Sequence, residues 1–491
     1  MPRWVVFVSL SILAWGSWAV ASWGSPRDAA VHHELDLAIS PQPGNGHLMR
    51  LSALRALRDP RLEPLLVSLL GVDDSATQIH ALLGLAELDP DGVLTPDRLK
   101  AAEPEAAEIA IQLAIADDRV RASDLRALLE RAHTPEARLA IFAGLLRASE
   151  PVAPAELAAV DVEPETPAEA TLAALQAHLG RPASMEALAV RLRATPDAEL
   201  TQATVFAALE QARRFPSEAA TRLAWACLKT ETSPGLRRFA LLTLLEANAP
   251  GAGDAFATEY RAATRRRHQV DLALLLLMTE TDPPDAIRPL MDQDDLLAPM
   301  ADAASALAAG PGTAGPALER LIDAGHRRTI TWAVDASEDW PEELAPRLLD
   351  RVIDQAVEAG LQSPMSASGV AAAQALLERA PDRFRERLAT AEDDGTEQQL
   401  LLLALLQAPA PELAGTVAAI HRIGIAAPDT LALLVLARDG ATLDPSDVSN
   451  LQLIATGSQA SEAVRTQAAW LAVRHSGVVD DVVASLLRPA H

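Results

Sequence analysis

The chain has a single cysteine, Cys227, so no internal disulfide, cysteine-based metal site or redox pair forms. It lies in the apolar stretch Leu223-Ala224-Trp225-Ala226-Cys227-Leu228, where a free thiol reads as a small core residue. Aromatics are scarce: seven Phe, eight Trp and one Tyr, or 3% of 491 residues. A strand-rich protein draws more heavily on them. Valine and isoleucine are also few beside leucine and alanine, and no stretch alternates apolar and polar residues as a half-buried strand does. Lysine occurs only at Lys100 and Lys229, so the positive charge is almost wholly arginine. Beyond the first segment no run of 18 apolar residues occurs; Leu272 to Met278 and Leu400 to Leu406 are short and bounded by polar residues, as in buried helices.

What is abundant is acid. A formal charge of −25 and a pI near 4.8 oppose electrostatic binding to nucleic acid or an anionic membrane surface, which carry the same sign. The basic exception is Arg265-Arg266-Arg267-His268, with Arg261 one turn upstream. Read by the helix dipole, these arginines close a helix running from about Asp254; the other reading is an anion site.

The first residues follow the order basic, apolar, small. Met1-Pro2-Arg3 precedes an uncharged run from Trp4 to Val20, and Ala19-Val20-Ala21 offers a small-x-small cleavage site. Residues 1–21 therefore read as a signal peptide, or as an uncleaved inner-membrane anchor through residues 4–20, since 17 apolar residues just reach the span of a bilayer. Either way the remainder is exported, periplasmic or secreted, and membrane contact is confined to this segment if it stays uncleaved. Residues 22–47, with Pro26, Pro41, Pro43, Gly44 and Gly46, read as a flexible linker. His32-His33-Glu34 within it has no further ligand at metal-binding spacing and reads as exposed polar residues.

From Leu48 onward, apolar residues recur at three- and four-residue spacing in blocks separated by short turns rich in Pro, Gly, Asp, Ser and Thr. Leu62, Leu65, Leu66, Leu69 and Leu70 form one such face; Ile79, Leu82, Leu83, Leu85 and Leu88 form the next. A polar cap followed by proline opens blocks at Thr134-Pro135, Thr166-Pro167, Thr195-Pro196, Ser233-Pro234 and Asp444-Pro445. About 20 to 22 helices are expected, in antiparallel pairs with short loops. Thr134 to Ala148 aligns with Ser233 to Ala247, each with a hydroxyl cap, a proline, an arginine (Arg138, Arg237) and Leu-Leu-x-Ala at the end. Ser461 to Leu471 repeats the first half, with Arg465 in the same place. Starts near Ser75, Glu103 and Thr134 are 28 and 31 residues apart. A helix pair of this period buries its apolar faces only by stacking on its neighbours, which predicts an all-α superhelical solenoid.

These features resemble HEAT-like repeats of the short kind. Asp59 to Leu70, the turn Asp73-Asp74-Ser75 and Ile79 to Leu88 look like one unit: a Pro-Leu first helix, an acidic turn and an Ala/Leu-rich second helix. The Pro-Leu opening returns at Pro289-Leu290, Pro316-Ala317-Leu318 and Pro346-Arg347-Leu348, and the Val-Arg of the second helix at Val464-Arg465. The likeness divides the chain into N-terminal HEAT-like repeats over 48–160 and degenerate repeats over 161–491 ending in a HEAT-like unit. Glu150 to Pro167 holds four prolines and is either a bend at a subdomain boundary or a long inter-repeat loop. The resemblance implies an exported scaffold for protein–protein interaction or envelope assembly, with a protein partner, and it carries no catalytic residues. The other reading is an exported all-α toroid enzyme acting on polysaccharide; sugar sites use aromatic platforms, and Trp4, Phe7, Trp15 and Trp18 already fall in the first segment.

No local motif marks a catalytic, cofactor or metal site, and the expectation is a non-enzyme without cofactors. Gly310-Pro311-Gly312-Thr313-Ala314-Gly315 has the letters of a dinucleotide fingerprint, but an Ala-rich helix precedes it where a strand is required, so it reads as a loop. The pairs Asp73-Asp74, Asp117-Asp118, Asp294-Asp295, Asp393-Asp394 and Asp480-Asp481 read as helix caps or as an acidic ridge for a basic partner or Ca2+. The candidate partner-binding residues are Arg138, Arg237 and Arg465, at equivalent repeat positions, and Trp332 and Trp340, rimmed by acids. The structural alternatives are that each arginine pairs with an acidic turn residue of the next repeat, and that Trp340 staples the start of the following helix. Cleavage of the first segment predicts that the mature protein, recovered from the non-cytoplasmic fraction, begins near Ser22 on terminal sequencing; a cytoplasmic chain beginning at Met1 would overturn export.

Overall fold

The computed structural model describes residues 46–71, 73–89, 94–116, 119–391, 395–423, 426–457 and 460–476. The first segment, most of residues 22–47 with His32-His33-Glu34, and the pairs Asp117-Asp118, Asp393-Asp394 and Asp480-Asp481 lie outside them. The structure is 74% helix without strands among the described residues, so the expected all-α class holds. The described residues form 27 α-helices, more than the 20 to 22 expected, partly because single turns such as Pro96–Leu99 and Arg288–Met291 stand as separate helices. None of the described helices is long and apolar enough to cross a membrane.

Local chemistry sets many of the starts. Asp74 accepts from the Thr77 amide and opens the helix Ser75–Leu88; Thr166 accepts from Glu169 and opens Pro167–His178. Ser233 accepts from Leu236, and Asp444 from Ser446 and Asp447. A side-chain oxygen here satisfies one of the first-turn amides that have no partner within the helix. Thr195-Pro196 is a correction: Thr195 ends the helix Ala183–Ala194, its hydroxyl donates back to the Arg191 carbonyl, and the next helix starts only at Glu199. The glycine-rich stretch is an inter-helix loop: Gly310, at φ 130°, ends the helix Leu297–Ala309, and Gly315 begins the next.

The chain divides into two compact units, one of residues 145–380 and one joining 1–144 to 381–491. In the first of these, Pro167–His178 packs on Glu199–Arg214, that helix on Pro234–Glu246, then Arg266–Met278, then Leu297–Ala309, each helix touching the next but one or two in sequence. In the discontinuous unit the corresponding series is Gly395–Gln407, Ala426–Arg438, Glu462–Ser476, Gly46–Ala56, Ser75–Leu88 and Pro104–Ala116. The last described helix thus takes its place directly before the first.

The helices of each series are joined by one recurring polar device. The fourth residue of the Ser75 helix, Gln78, is 1% exposed, and its Oε1 accepts from the amide of Glu103, just before the helix Pro104–Ala116. Glu108 of that helix accepts from the amides of His133 and Thr134, just before Pro135–Arg147. In the other unit Gln202 accepts from the Ser233 amide, the N-cap of Pro234–Glu246. A part-buried amide left without an acceptor costs up to about 1–3 kcal/mol, so Gln78 and Glu108 fix the register of neighbouring helices as well as their distance, while the exposed bond of Gln202 holds the same geometry with less at stake.

The seam between the chain's early and late helices is the most fully bonded. Gln467 Nε2 donates to the Ala53 carbonyl at 2.9 Å, Arg50 pairs with Glu462 at 3.0 Å, and Arg61 Nη2 reaches the carbonyls of Ala437 and Arg438. Trp470, fully buried, donates from Nε1 to Asp59 Oδ2 at 2.9 Å, and Asp59, 1% exposed, also accepts from the Arg61 amide and guanidinium. Arg474 lies over the Trp470 ring at 5.4 Å. Removing this ring leaves a cavity and takes one donor from a buried carboxylate. Trp470→Ala should therefore cost about 3–5 kcal/mol in chemical denaturation of the full chain. Trp470→Phe, which retains most of the volume and loses only the donor, should cost less than half as much.

Candidate functional site

Arg138, Arg237 and Arg465 each stand fourth in their helices, Pro135–Arg147, Pro234–Glu246 and Glu462–Ser476, and each backbone amide donates to the carbonyl of the cap residue, Thr134, Ser233 or Ser461. Their side chains are half-buried. Arg237 forms a two-pronged pair with Glu259 of the helix Ala252–Ala262, while its Nη1 donates to the Thr230 carbonyl at 3.1 Å. The Glu259 bonds, with the pair's charge attraction, outweigh burial and hold the Arg237 pKa above its ordinary value. Arg465 Nε donates to the Ala455 carbonyl at 3.2 Å. Thr230 and Ala455 stand at the ends of the preceding helices, Glu218–Lys229 and Pro445–Thr456, so both cations meet the negative end of a helix dipole. Arg138 differs: its Nε is buried without a hydrogen-bond partner among the described residues.

Trp332 and Trp340 meet edge to face at 6.2 Å and 66°. Trp340 is 6% exposed and Trp332 half-buried, so the first is core and only the second reaches the surface. Of the described aspartate pairs, Asp74 caps the Ser75 helix, and Asp294 accepts from the amides of Leu296 and Leu297 at the start of Leu297–Ala309.

The arginine run is placed otherwise than its charge implied. The helix from Ala252 ends at Ala262, and Arg265 is the N-cap of the next, Arg266–Met278. Three arginines thus crowd the positive end of a dipole, with no acid in the first turn. The helix Arg327–Ala336 likewise starts at His326 with arginines and no acid in its first turn. Both starts line an open recess of about 310 Å³ formed by Arg266, Arg267, Val270, Leu296, His326 and Arg328. Its apolar floor, Val270 and Leu296, is buried, and Arg266 and Arg267 are exposed. Asp294 clamps Arg266 through Nε and Nη2, both at 2.8 Å, which holds the Asp294 carboxyl below its ordinary pKa despite some burial. Asp271 bridges Arg238 and Arg328. Burial, then the charge of Arg267, pushes the Arg238 pKa down; burial, Arg267 and Arg238 do the same to Arg328. Burial, Arg266 and Arg327 lower that of His326, whose Nδ1 is buried without a hydrogen-bond partner among the described residues.

A second charged cluster had no signal in sequence spacing. Arg55 forms a two-pronged pair with Glu87 and its Nη1 lies 2.6 Å from Nδ1 of His80; Arg119 completes the pair on Glu87. Facing a permanent donor, Nδ1 acts as acceptor and the neutral ring keeps its proton on Nε2. Burial and then Arg55 lower the His80 pKa to about 3; burial raises that of Glu87, but Arg55 and Arg119 prevail and hold it low. Cys227 is fully buried, and burial pushes its thiol up to about 12, leaving a core residue rather than a nucleophile. No group of three metal-ligating side chains occurs among the described residues.

No family model matches the chain, and no curated protein does. Among solved structures it is similar to a crystal structure of an engineered protein, at 16% identity over 91% of this chain and 98% of the other, with a TM-score of 0.21; at that score the likeness carries no argument.

Reversing the charge of Arg237 sets a second carboxylate against Glu259 and removes the donor at Thr230, so Arg237→Glu should cost about 1–3 kcal/mol, and the added change Glu259→Arg should restore part of it. Undiminished thermal stability in the single variant would exclude the structural role. The His80 shift gives a pH dependence of definite sign. The unfolded chain binds a proton near pH 6.5 and the folded one only near 3, so stability falls as pH drops through that window, by up to about 1.4 kcal/mol per unit. Urea midpoints measured between pH 6.5 and 5 should show this slope, and His80→Gln should remove the larger part, leaving the share of His326.

Proposed function

We propose that this protein is an exported scaffold whose HEAT-like helix pairs stack as a superhelical solenoid and hold protein partners along an extended face in the cell envelope. The observation that carries the reading is the repeated tie between successive helices, made by Gln78, Glu108 and Gln202 on the amides that start the next helix. A device repeated at this interval keeps equivalent helices in register, and a face built of equivalent helices is what solenoids offer to long partners. Export rests on the order of residues in the first 21 positions. The net charge of −25 favours a partner with basic surface and disfavours nucleic acid. Arg237 and Arg465 are accounted for by their bonds within the fold, so side chains not committed in this way, Trp332 among them, are the better candidates for contact.

The test is crosslinking of the mature chain in envelope extract, followed by titration of the purified partner against the purified chain. Saturable, salt-sensitive binding to a defined protein is expected. Hydrolysis of envelope polysaccharide by the purified chain, with no saturable protein binding, would replace the scaffold with the toroid enzyme.

A further inference from the structure

We propose that the arginine-lined recess between the starts of the helices Arg266–Met278 and Arg327–Ala336 is a binding site for a phosphate group, free or carried on a small monoester. Three guanidinium groups line the recess, those of Arg266, Arg267 and Arg328, and two more stand within electrostatic reach, Arg238 of Arg267 and Arg327 of His326, against three carboxylates, Asp271, Asp294 and Asp295. Two of the carboxylates are committed: Asp294 to Arg266 and to the cap of the next helix, Asp271 to Arg238 and Arg328. Arg267 makes no side-chain hydrogen bond or ion pair among the described residues; what it meets is the like charge of Arg238 and Arg328. A chain with 67 acidic and 42 basic residues has carboxylates to spare for such a cluster. Instead the excess positive charge is held by three elements around one concavity, with two uncapped helix starts adding amide dipoles of the same sign.

The class of ligand follows from size and sign. A recess of about 310 Å³ admits a phosphate with a small organic group. Excess charge of about two units suits a dianion, and guanidinium forks match tetrahedral oxyanions with paired N–H groups. A long polyanion would have to run on over the surrounding surface of an acidic protein, whereas a small anion need only enter the recess. The proposal is independent of the scaffold reading and stands or falls by its own test.

That test is calorimetric titration of the full mature chain at constant ionic strength, with inorganic phosphate in one arm, glycerol phosphate in a second and sodium chloride as the control. Saturable binding of phosphate or glycerol phosphate is expected where chloride gives none, and the tighter of the two arms assigns the free ion or the monoester. Because Arg267 holds no partner among the described residues, Arg267→Ala should keep its helical circular dichroism and melting temperature yet weaken binding at least about tenfold. Arg267→Lys should recover part of the loss. Arg327→Ala, which removes one of the five charges without touching the recess lining, should weaken binding less than Arg267→Ala does. Phosphate heats no larger than those of chloride, or equal affinity in the native chain and Arg267→Ala, would overturn the assignment.

Discussion

Each helix start in this protein leaves amides that the helix itself cannot satisfy, and the structure depends on where those amides find acceptors. Some find them locally, in Asp74, Thr166, Ser233 and Asp444. Others find them in the preceding helix of the same series, in Gln78, Glu108 and Gln202. The second solution has a consequence the first lacks: it makes one helix part of the polar environment of the next. Leucine and alanine supply the area that stacking removes from water, but such area is tolerant of sliding. A buried Gln bonded to one particular amide is not, and so the polar contacts set the register in which the apolar ones are made.

Arginine does the complementary work at the other end. Arg237 and Arg465 reach back to the last carbonyls of the helix before them, as Arg98 does to Leu85; Arg131 and Arg438 reach further back, to the carbonyls of Leu99 and Leu405 in the last turns of earlier helices. Lysine, with a compact point charge, would serve less well where one side chain must bond a carbonyl and a carboxylate at once, as Arg237 does. The near absence of lysine follows the same logic.

The helical class and many helix starts were legible because both depend on neighbours in sequence: three- and four-residue apolar spacing, and a hydroxyl or carboxylate just before the first turn. Even the repeat position of Arg138, Arg237 and Arg465 could be aligned by eye, and the backbone register agrees. What failed was decided by a distant residue or by a bond running the other way along the chain. Thr195-Pro196 has the letters of a helix start, yet Thr195 bonds backwards and ends a helix. The run Arg265 to His268 looked like a helix end because the dipole favours cations there; Asp294, from another part of the sequence, makes the opposite end tolerable for Arg266 and leaves Arg267 over. Neither the His80 cluster nor the bond from Trp470 to Asp59 has any local sign, since the partners are 25 and 411 residues apart.

That last separation bears on how the molecule is made. A chain emerging from its N-terminus presents Gly46–Ala56 and Ser75–Leu88 long before Glu462–Ser476 exists, and Asp59 waits for Trp470 until nearly all of the described sequence has appeared. The unit of residues 145–380 is continuous and has all its parts earlier. Synthesis therefore imposes an order: the continuous unit can complete itself first, while the early helices of the other keep apolar faces open, dependent on chaperones or on one another. A truncation that removed Glu462–Ser476 would leave the first described helices without their neighbour, and damage to that helix would be felt first at Gly46–Ala56.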